Sequence, residues 1–178
     1  MSGQEDWKTL LGAMIMAKSD IDQLPGEKLE QYTVPRVKAT EDELAEFERE
    51  IGERLPSSYR NFLLHANGWP RFYYRMDLFG IPELRGGGNW PVANELLTVY
   101  AEDVLPSVDL DPKGVVPVGA GQGMRDLLLV VREGWPAAGE VSWIDGEEIG
   151  RFEDFATFMA YMVQNRREYY ERRAGAGN

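Results

Sequence analysis

The sequence predicts an α+β fold, a sheet with helices packed around it, preceded by an N-terminal helical arm. Three observations lead there. Residues 39–69 read as two short helices in tandem, closed by Asn67-Gly68. Residues 71–152 hold short apolar and aromatic runs separated by Gly, Pro and Asp-Gly, the pattern of strands and turns. Helical spacing then returns from Phe152 onward. A chain of 178 residues can build one good core, or one domain plus an arm. Its 19 Gly and 10 Pro suit a turn-rich fold of this class.

Taking the elements in order, residues 5–17 place Trp7, Leu10, Leu11, Met14 and Ile15 on one helical stripe, which predicts an amphipathic helix docked on the core, with a partner-binding or dimer-forming arm as the alternative. Periodicity fades over 18–36. Leu24-Pro25-Gly26 is a turn signal, and 31–37 is at best a short edge strand because it holds Pro35. Thr40 and Glu43 form a capping box, with Glu41 and Asp42 in the first turn. Leu44, Phe47 and Ile51 line one face of that helix and Gly52 stops it. A second helix starts near Leu55-Pro56, where proline suits a first turn. It buries Tyr59, Phe62, Leu63 and Ala66 and ends at Asn67-Gly68.

Residues 71–84 suit a strand. A short helix follows at 94–103 and a Pro-containing loop at 106–112. Strands are expected at 115–118 and 126–132. Strands at 141–144 and 147–152 flank Asp145-Gly146, a two-residue hairpin signal. The closing helix covers 153–173, with Arg166, Arg167, Arg172 and Arg173 near its end, and 174–178 is a frayed tail.

Composition narrows the chemistry. With no Cys there is no disulfide, no thiolate metal ligand and no cysteine nucleophile. A single His gives no imidazole zinc site. No apolar run approaches the roughly 20 residues that span a bilayer. The first ten residues are acidic and polar where a signal peptide would be basic and then apolar, so a cytoplasmic protein is expected. The net charge of -11 argues against direct nucleic-acid binding, and favours either plain solubility or a basic partner.

Each chemical motif has an ordinary explanation. Gly119-Ala120-Gly121-Gln122-Gly123 has neither phosphate-loop spacing nor a following Lys-Ser/Thr, and reads as a strand-to-strand turn. His65 lies on a packed helix with no serine or cysteine motif beside it. Among 30 acidic residues, pairs such as Glu102-Asp103 and Glu147-Glu148 arise by chance. The cluster Trp69, Phe72, Tyr73, Tyr74 serves as core or as core plus interface. Strand alternation puts Phe72 and Tyr74 on one side and Tyr73 on the other, without saying which side is buried.

The central stretch has a recognisable pattern: Glu43, Leu44, Phe47, Glu48, Ile51, Gly52, Leu55, Pro56, Tyr59, Phe62, Leu63, Asn67 and Gly68 at fixed spacing. It resembles the SMI1/KNR4 family, also called the SUKH superfamily. Val116-Pro117-Val118-Gly119 with Asp126-Leu127-Leu128 is similar to the family's central hairpin. The segment from Gly139-Glu140-Val141 to Trp143, then Arg151-Phe152-Glu153-Asp154-Phe155, resembles its last strands and closing helix, with Arg151 where Ser is usual. The likeness covers 37–163 and leaves the arm outside.

The resemblance implies a mostly antiparallel sheet with helices packed around it. It also implies a division into an arm and linker (1–36), the family domain (37–173) and the tail (174–178). Bacterial members are typically immunity proteins that bind and block a cognate toxin domain, often a nuclease; fungal members act as scaffolds. No catalytic residues define the family, so neither an enzyme nor a cofactor is expected. The expected function is non-catalytic occlusion of a basic toxin, with a scaffold or regulatory binding module as the alternative. The expected contacts are exposed acidic and aromatic residues after Gly68: Tyr73, Asp77, Glu83, Trp90, Glu95, Asp145, Glu147 and Glu148.

Overall fold

The computed structural model describes residues 6–177. In chain order these form α1 (Trp7–Asp22), α2 (Glu41–Ile51), α3 (Ser57–Leu63), β1 (Trp69–Tyr73), β2 (Met76–Leu78), α4 (Ile81–Leu84), α5 (Trp90–Tyr100), α6 (Val104–Ser107), a 3-10 turn (Pro112–Gly114), β3 (Val115–Gly121), β4 (Asp126–Val131), β5 (Val141–Asp145), β6 (Glu148–Phe152) and α7 (Phe155–Gly175). The six strands form one sheet in the order β1-β2-β3-β4-β5-β6, every pair antiparallel, as an α+β fold of this kind requires.

Helices cover both faces of the sheet. On one face, Trp7, Leu11 and Met14 of α1, Leu44 and Phe47 of α2, Tyr59 and Phe62 of α3, and Phe155, Phe158 and Met162 of α7 pack on Val116, Val118, Leu128, Val130, Val141 and Trp143. On the other, Ala93 and Tyr100 of α5 and Leu105 of α6 pack on Val115, Ala120, Leu127, Leu129, Val131 and Ile144. An antiparallel strand normally alternates because one face meets water. With both faces covered, β4 is apolar almost throughout and buried along its whole length. A bulge between Pro117 and Gly119 shifts the register of β3, which brings Ala120 to the opposite face from Val118.

The capping box is present. The Thr40 hydroxyl accepts from the Glu43 N–H at 3.1 Å and the Glu43 carboxylate accepts from the Thr40 N–H at 2.7 Å. Gly52 closes α2 at φ 70°. Ile51 is 41% exposed and not on the buried face; it is the last residue of α2, next to the Gly52 stop. Asn67-Gly68 does not cap α3, which ends at Leu63 with Leu64 as its C-cap. The pair is a docking point instead. The Asn67 side-chain oxygen accepts from the Ile81 N–H at 2.8 Å. Gly68 lies so close to Gly80 that a Cβ would stand 2.7 Å from the Gly80 nitrogen, and a Cβ on Gly80 would overlap the Asn67 carbonyl.

Several boundaries differ from expectation for local reasons. Residue 5, the expected start of α1, lies outside the described residues. The helix runs on to Asp22 because Lys18 and Ile21 continue its buried stripe. Residues 31–37 form no strand. They bond the motif piecemeal, with Arg36 N–H to the Gly68 carbonyl at 3.0 Å and Asn67 N–H to the Val37 carbonyl at 3.3 Å. The single strand expected over 71–84 is two strands and α4. Tyr74 adopts φ 51°, which turns the chain, and Glu83 reaches back to the Gly80 N–H at 2.8 Å to start α4. The helix expected at 94–103 begins earlier, at Trp90, with proline in its first turn. Part of the expected loop 106–112 belongs to α6 and the 3-10 turn. Asp154 caps α7 by accepting from the Thr157 N–H at 2.7 Å. Residues 174 and 175 of the expected tail are helical, and 178 lies outside the described residues.

A buried charge cluster ties the arm to this frame. Lys18 Nζ donates to Glu30 Oε1 at 3.0 Å and to the carbonyls of Arg71 and Phe72 at 3.1 and 3.0 Å, so all three ammonium protons are used. Glu30 Oε2 accepts from Arg166 of α7 at 2.9 Å. The three side chains are 1%, 5% and 4% exposed. Arg166 also covers the rings of Tyr73 and Tyr169 at 4.7 and 5.0 Å.

Two stability outcomes follow. Gly80→Ala should cost about 1–3 kcal/mol or more by overpacking. Gly52→Ala, strained in φ but opening on free space, should cost about 1–2 kcal/mol. Urea unfolding of both should show the larger loss at Gly80, which has an ordinary φ. Glu30→Gln leaves two buried cations without a counter-charge and should cost about 3–5 kcal/mol. Lys18→Met keeps the Glu30–Arg166 pair and should cost less; the reverse order would contradict the cluster's assigned balance.

Candidate functional site

Antiparallel pairing in chain order puts alternate connections at opposite ends of a sheet. The β1–β2, β3–β4 and β5–β6 turns therefore share one end. The pairs Tyr73↔Met76, Met76↔Gly121 and Asp126↔Asp145 mark the last rungs there. The tips are residues 74–75, 122–125 and 146–147. They sit shoulder to shoulder, since a Cβ on Gly121 would overlap the Arg75 carbonyl and one on Gly146 would overlap the Arg125 guanidinium. This close approach is what the glycines of 119–123 provide, in a strand-to-strand turn as expected. The Tyr100 hydroxyl pins the tips to the end of α5. It donates to the Arg125 carbonyl at 2.6 Å and accepts from the Gly146 N–H at 3.1 Å.

Behind the tips lies an aromatic and acidic floor. Tyr73 packs edge-on against Trp143, with ring centroids 5.2 Å apart. Burial lifts its phenol to about 12. The Trp143 indole N–H donates to Asp126 Oδ1 at 2.7 Å. Burial raises the Asp126 carboxyl above the usual aspartate range, against the pull of the Trp143 hydrogen bond, and the neighbouring Asp145 pushes it the same way. Strand alternation does not sort the aromatic cluster into in and out. Phe72 is buried, while Tyr73 and Tyr74 are both half-buried because Tyr74 sits in the turn.

Of the residues singled out in the sequence, Tyr73, Asp145, Glu147 and Glu148 gather at this end. Glu147 is exposed. Asp145 is 3.5 Å from Arg125. Glu148 accepts from the Ser142 hydroxyl at 2.5 Å and from Arg151 at 2.8 Å. Asp77 lies one rung back and uses both oxygens, on the Arg71 N–H at 2.7 Å and the Asn89 amide at 2.8 Å. Trp90 is half-buried between the two cores, against Phe79. Glu95 is exposed on α5, more than a turn before Tyr100. Glu83 is a correction: it is 3% exposed and not a surface acid, because it holds Arg36 through both oxygens at 2.7 and 2.9 Å and caps α4.

Sequence reasoning missed the basic residues at this end, Arg71, Arg75 and Arg125; the overall negative charge drew attention to the acids. The site holds charged, amide and aromatic groups suited to non-covalent recognition. His65 is exposed, and its Nδ1 sits 2.7 Å from the Asn61 carbonyl. Among the described residues, no three of His, Asp and Glu are placed to hold a metal ion, and no helix is long and apolar enough to cross a membrane.

Comparison with known proteins returns one family, described as SMI1 / KNR4 family (SUKH-1), whose model matches residues 38–162, well over half of the chain. No curated protein matches.

Asp126 gives a pH test of the floor. A carboxyl whose folded pKa is raised takes up a proton on folding, so its contribution is fullest at low pH and falls as pH rises through the folded value. Asp126→Asn keeps an acceptor for Trp143 and removes the buried charge. It should raise the melting temperature at pH 7, and the gain should shrink toward pH 4. A uniform loss at both pH values would contradict the assignment.

Proposed function

Since the chain belongs to the SMI1/KNR4 family (SUKH-1), we propose that it is an immunity protein that binds a cognate bacterial toxin domain and blocks it without catalysis. The family match over 38–162 carries this reading. Net charge supports it: at -11 the protein attracts a basic partner such as a nuclease and speeds its approach. In such a complex, carboxylates take the place of the toxin's phosphate-bearing substrate. The protein acts in the cytoplasm, where a nuclease toxin would meet nucleic acid.

The tip end of the sheet is the proposed contact surface. Asp145 and Glu147 supply charge, Glu148 shapes the start of β6 by holding Arg151 and the Ser142 hydroxyl, Tyr73 supplies an aromatic anchor over Arg166, and Glu95 extends the acidic area along α5. Aromatic anchors ringed by polar groups are the usual energetic centre of an interface. Asp77 and Trp90 contribute by holding the hairpin and the start of α5, because their own side chains are already engaged.

Co-expression with the toxin encoded beside it should restore growth, and the two proteins should co-purify. Absence of both would sink the reading. Replacing Asp145 and Glu147 by Lys together should weaken the complex at least tenfold, most strongly at low salt, with the melting temperature unchanged within a few degrees. Undiminished affinity would move the contact to another face.

A further inference from the structure

A groove on the arm side of the β1–β2 hairpin carries two exposed arginines side by side, Arg71 and Arg75. We infer that it binds an extended acidic peptide segment, gripped by Arg71 and Arg75. The inference is independent of the toxin reading.

Charge is the first argument. Arg36, Arg60, Arg85, Arg125, Arg132, Arg151 and Arg166 each stand within ion-pair distance of a carboxylate. Arg71 and Arg75 are exposed, and among the described residues neither guanidinium has such a partner, in a chain with 30 acids against 19 bases. The carboxylates beside them are already engaged. Glu30 is held by Lys18 and Arg166, Asp77 by the Arg71 N–H and Asn89, and Asp22 lies 4.0 Å from Lys28. Among the described residues, Arg49, Arg54, Arg167, Arg172 and Arg173 also stand outside the ion pairs, but Arg71 and Arg75 are the two that line one depression together, where they can recognise carboxylates from outside in bidentate geometry.

Shape is the second argument. Two open depressions of about 610 and 480 Å³ share Gln31, Arg71 and Arg75, so they form one trough. Tyr32 and Tyr74 line one half; Asn89 and Gln122 line the other. A trough with aromatic walls and side-chain amides, which both donate and accept, suits a peptide backbone better than a compact ion. A nucleic-acid strand is disfavoured, because its regularly spaced phosphates would need an extended basic track and the trough offers two arginines.

The backbone supplies the third argument. Arg71 adopts φ 47°, in the left-handed region that favours glycine. That turn is imposed from outside: the Arg71 carbonyl accepts from Lys18 at 3.1 Å and from the Thr33 hydroxyl at 3.2 Å. Tyr74, in the same groove, also has positive φ, at 51°, and strain of this kind gathers where side chains are needed for binding.

The test separates binding from folding. Fluorescein-labelled decaglutamate is titrated into the full chain at about 0.1 M salt, where the repulsion of distant charges is screened over roughly 10 Å while contact pairs survive. Saturable binding is expected. Arg71→Gly and Arg75→Gln should each weaken it at least tenfold, and Arg71→Gly should melt at or above the wild-type temperature. Unlabelled decaglutamate should displace the probe, whereas oligothymidylate and pyrophosphate should not. No saturable binding, equal affinity in both variants, or stronger displacement by oligothymidylate would each overturn the proposal.

Discussion

One buried carboxylate, Glu30, holds the arm, the first strand and the closing helix together. It stands between Lys18 of α1 and Arg166 of α7, and Lys18 spends its other two protons on carbonyls of β1. β1 is an edge strand, and a bare edge invites pairing with other chains. Here the ammonium group and the extended linker cover part of that edge. The ammonium is costly to bury, and desolvation lowers the Lys18 pKa despite the attraction of Glu30. The cluster is compensated by full hydrogen bonding and by the tyrosine rings over Arg166. The apolar side chains of α1 and α7 would tolerate some sliding past one another; this cluster fixes their relative position.

From that constraint the rest of the architecture follows. With α1, α3 and α7 on one face and α5 and α6 on the other, the central strands become interior on both sides and lose alternation. The segment between β2 and β3 must leave the sheet to build the second helical layer. Asn67, Gly68 and Gly80 mark its departure, where two backbones touch closely enough to exclude a side chain. Glu83 and Arg36 then close the junction with a bidentate pair.

Much of this was legible in the sequence, for identifiable reasons. Thr40, Glu43 and Gly52 act through their immediate neighbours, so the spacing that announces them also determines them. Asp145-Gly146 is equally local. The apolar run of β4 announced burial, though only the second layer of helices explains why it does not alternate. Partners distant in sequence were not legible. Glu83 looks like a surface acid until Arg36 is placed beside it, and Asn67-Gly68 looks like a cap until Gly80 arrives. Lys18 and Arg166 left a clue, since each occupies a position on its helix's apolar stripe, four residues after Met14 and Met162 respectively. A charge at such a position signals a buried partner. The strained φ of Arg71 left none, because it comes from contacts made by Lys18 and Thr33.

The meander gives its two ends unequal freedom to change. At one end the chain crosses between strands through tight tips whose exposed side chains, those of Arg75, Gln122, Arg125 and Glu147, stand outside both cores. At the other it passes through the segments that build α4, α5 and α6. Substitutions at Arg75, Gln122, Arg125 or Glu147 would therefore alter what the protein touches while leaving its registers intact. Recognition and foldability are thus housed in separate parts of the chain, and a lineage under pressure to follow a changing partner could rewrite the first without renegotiating the second.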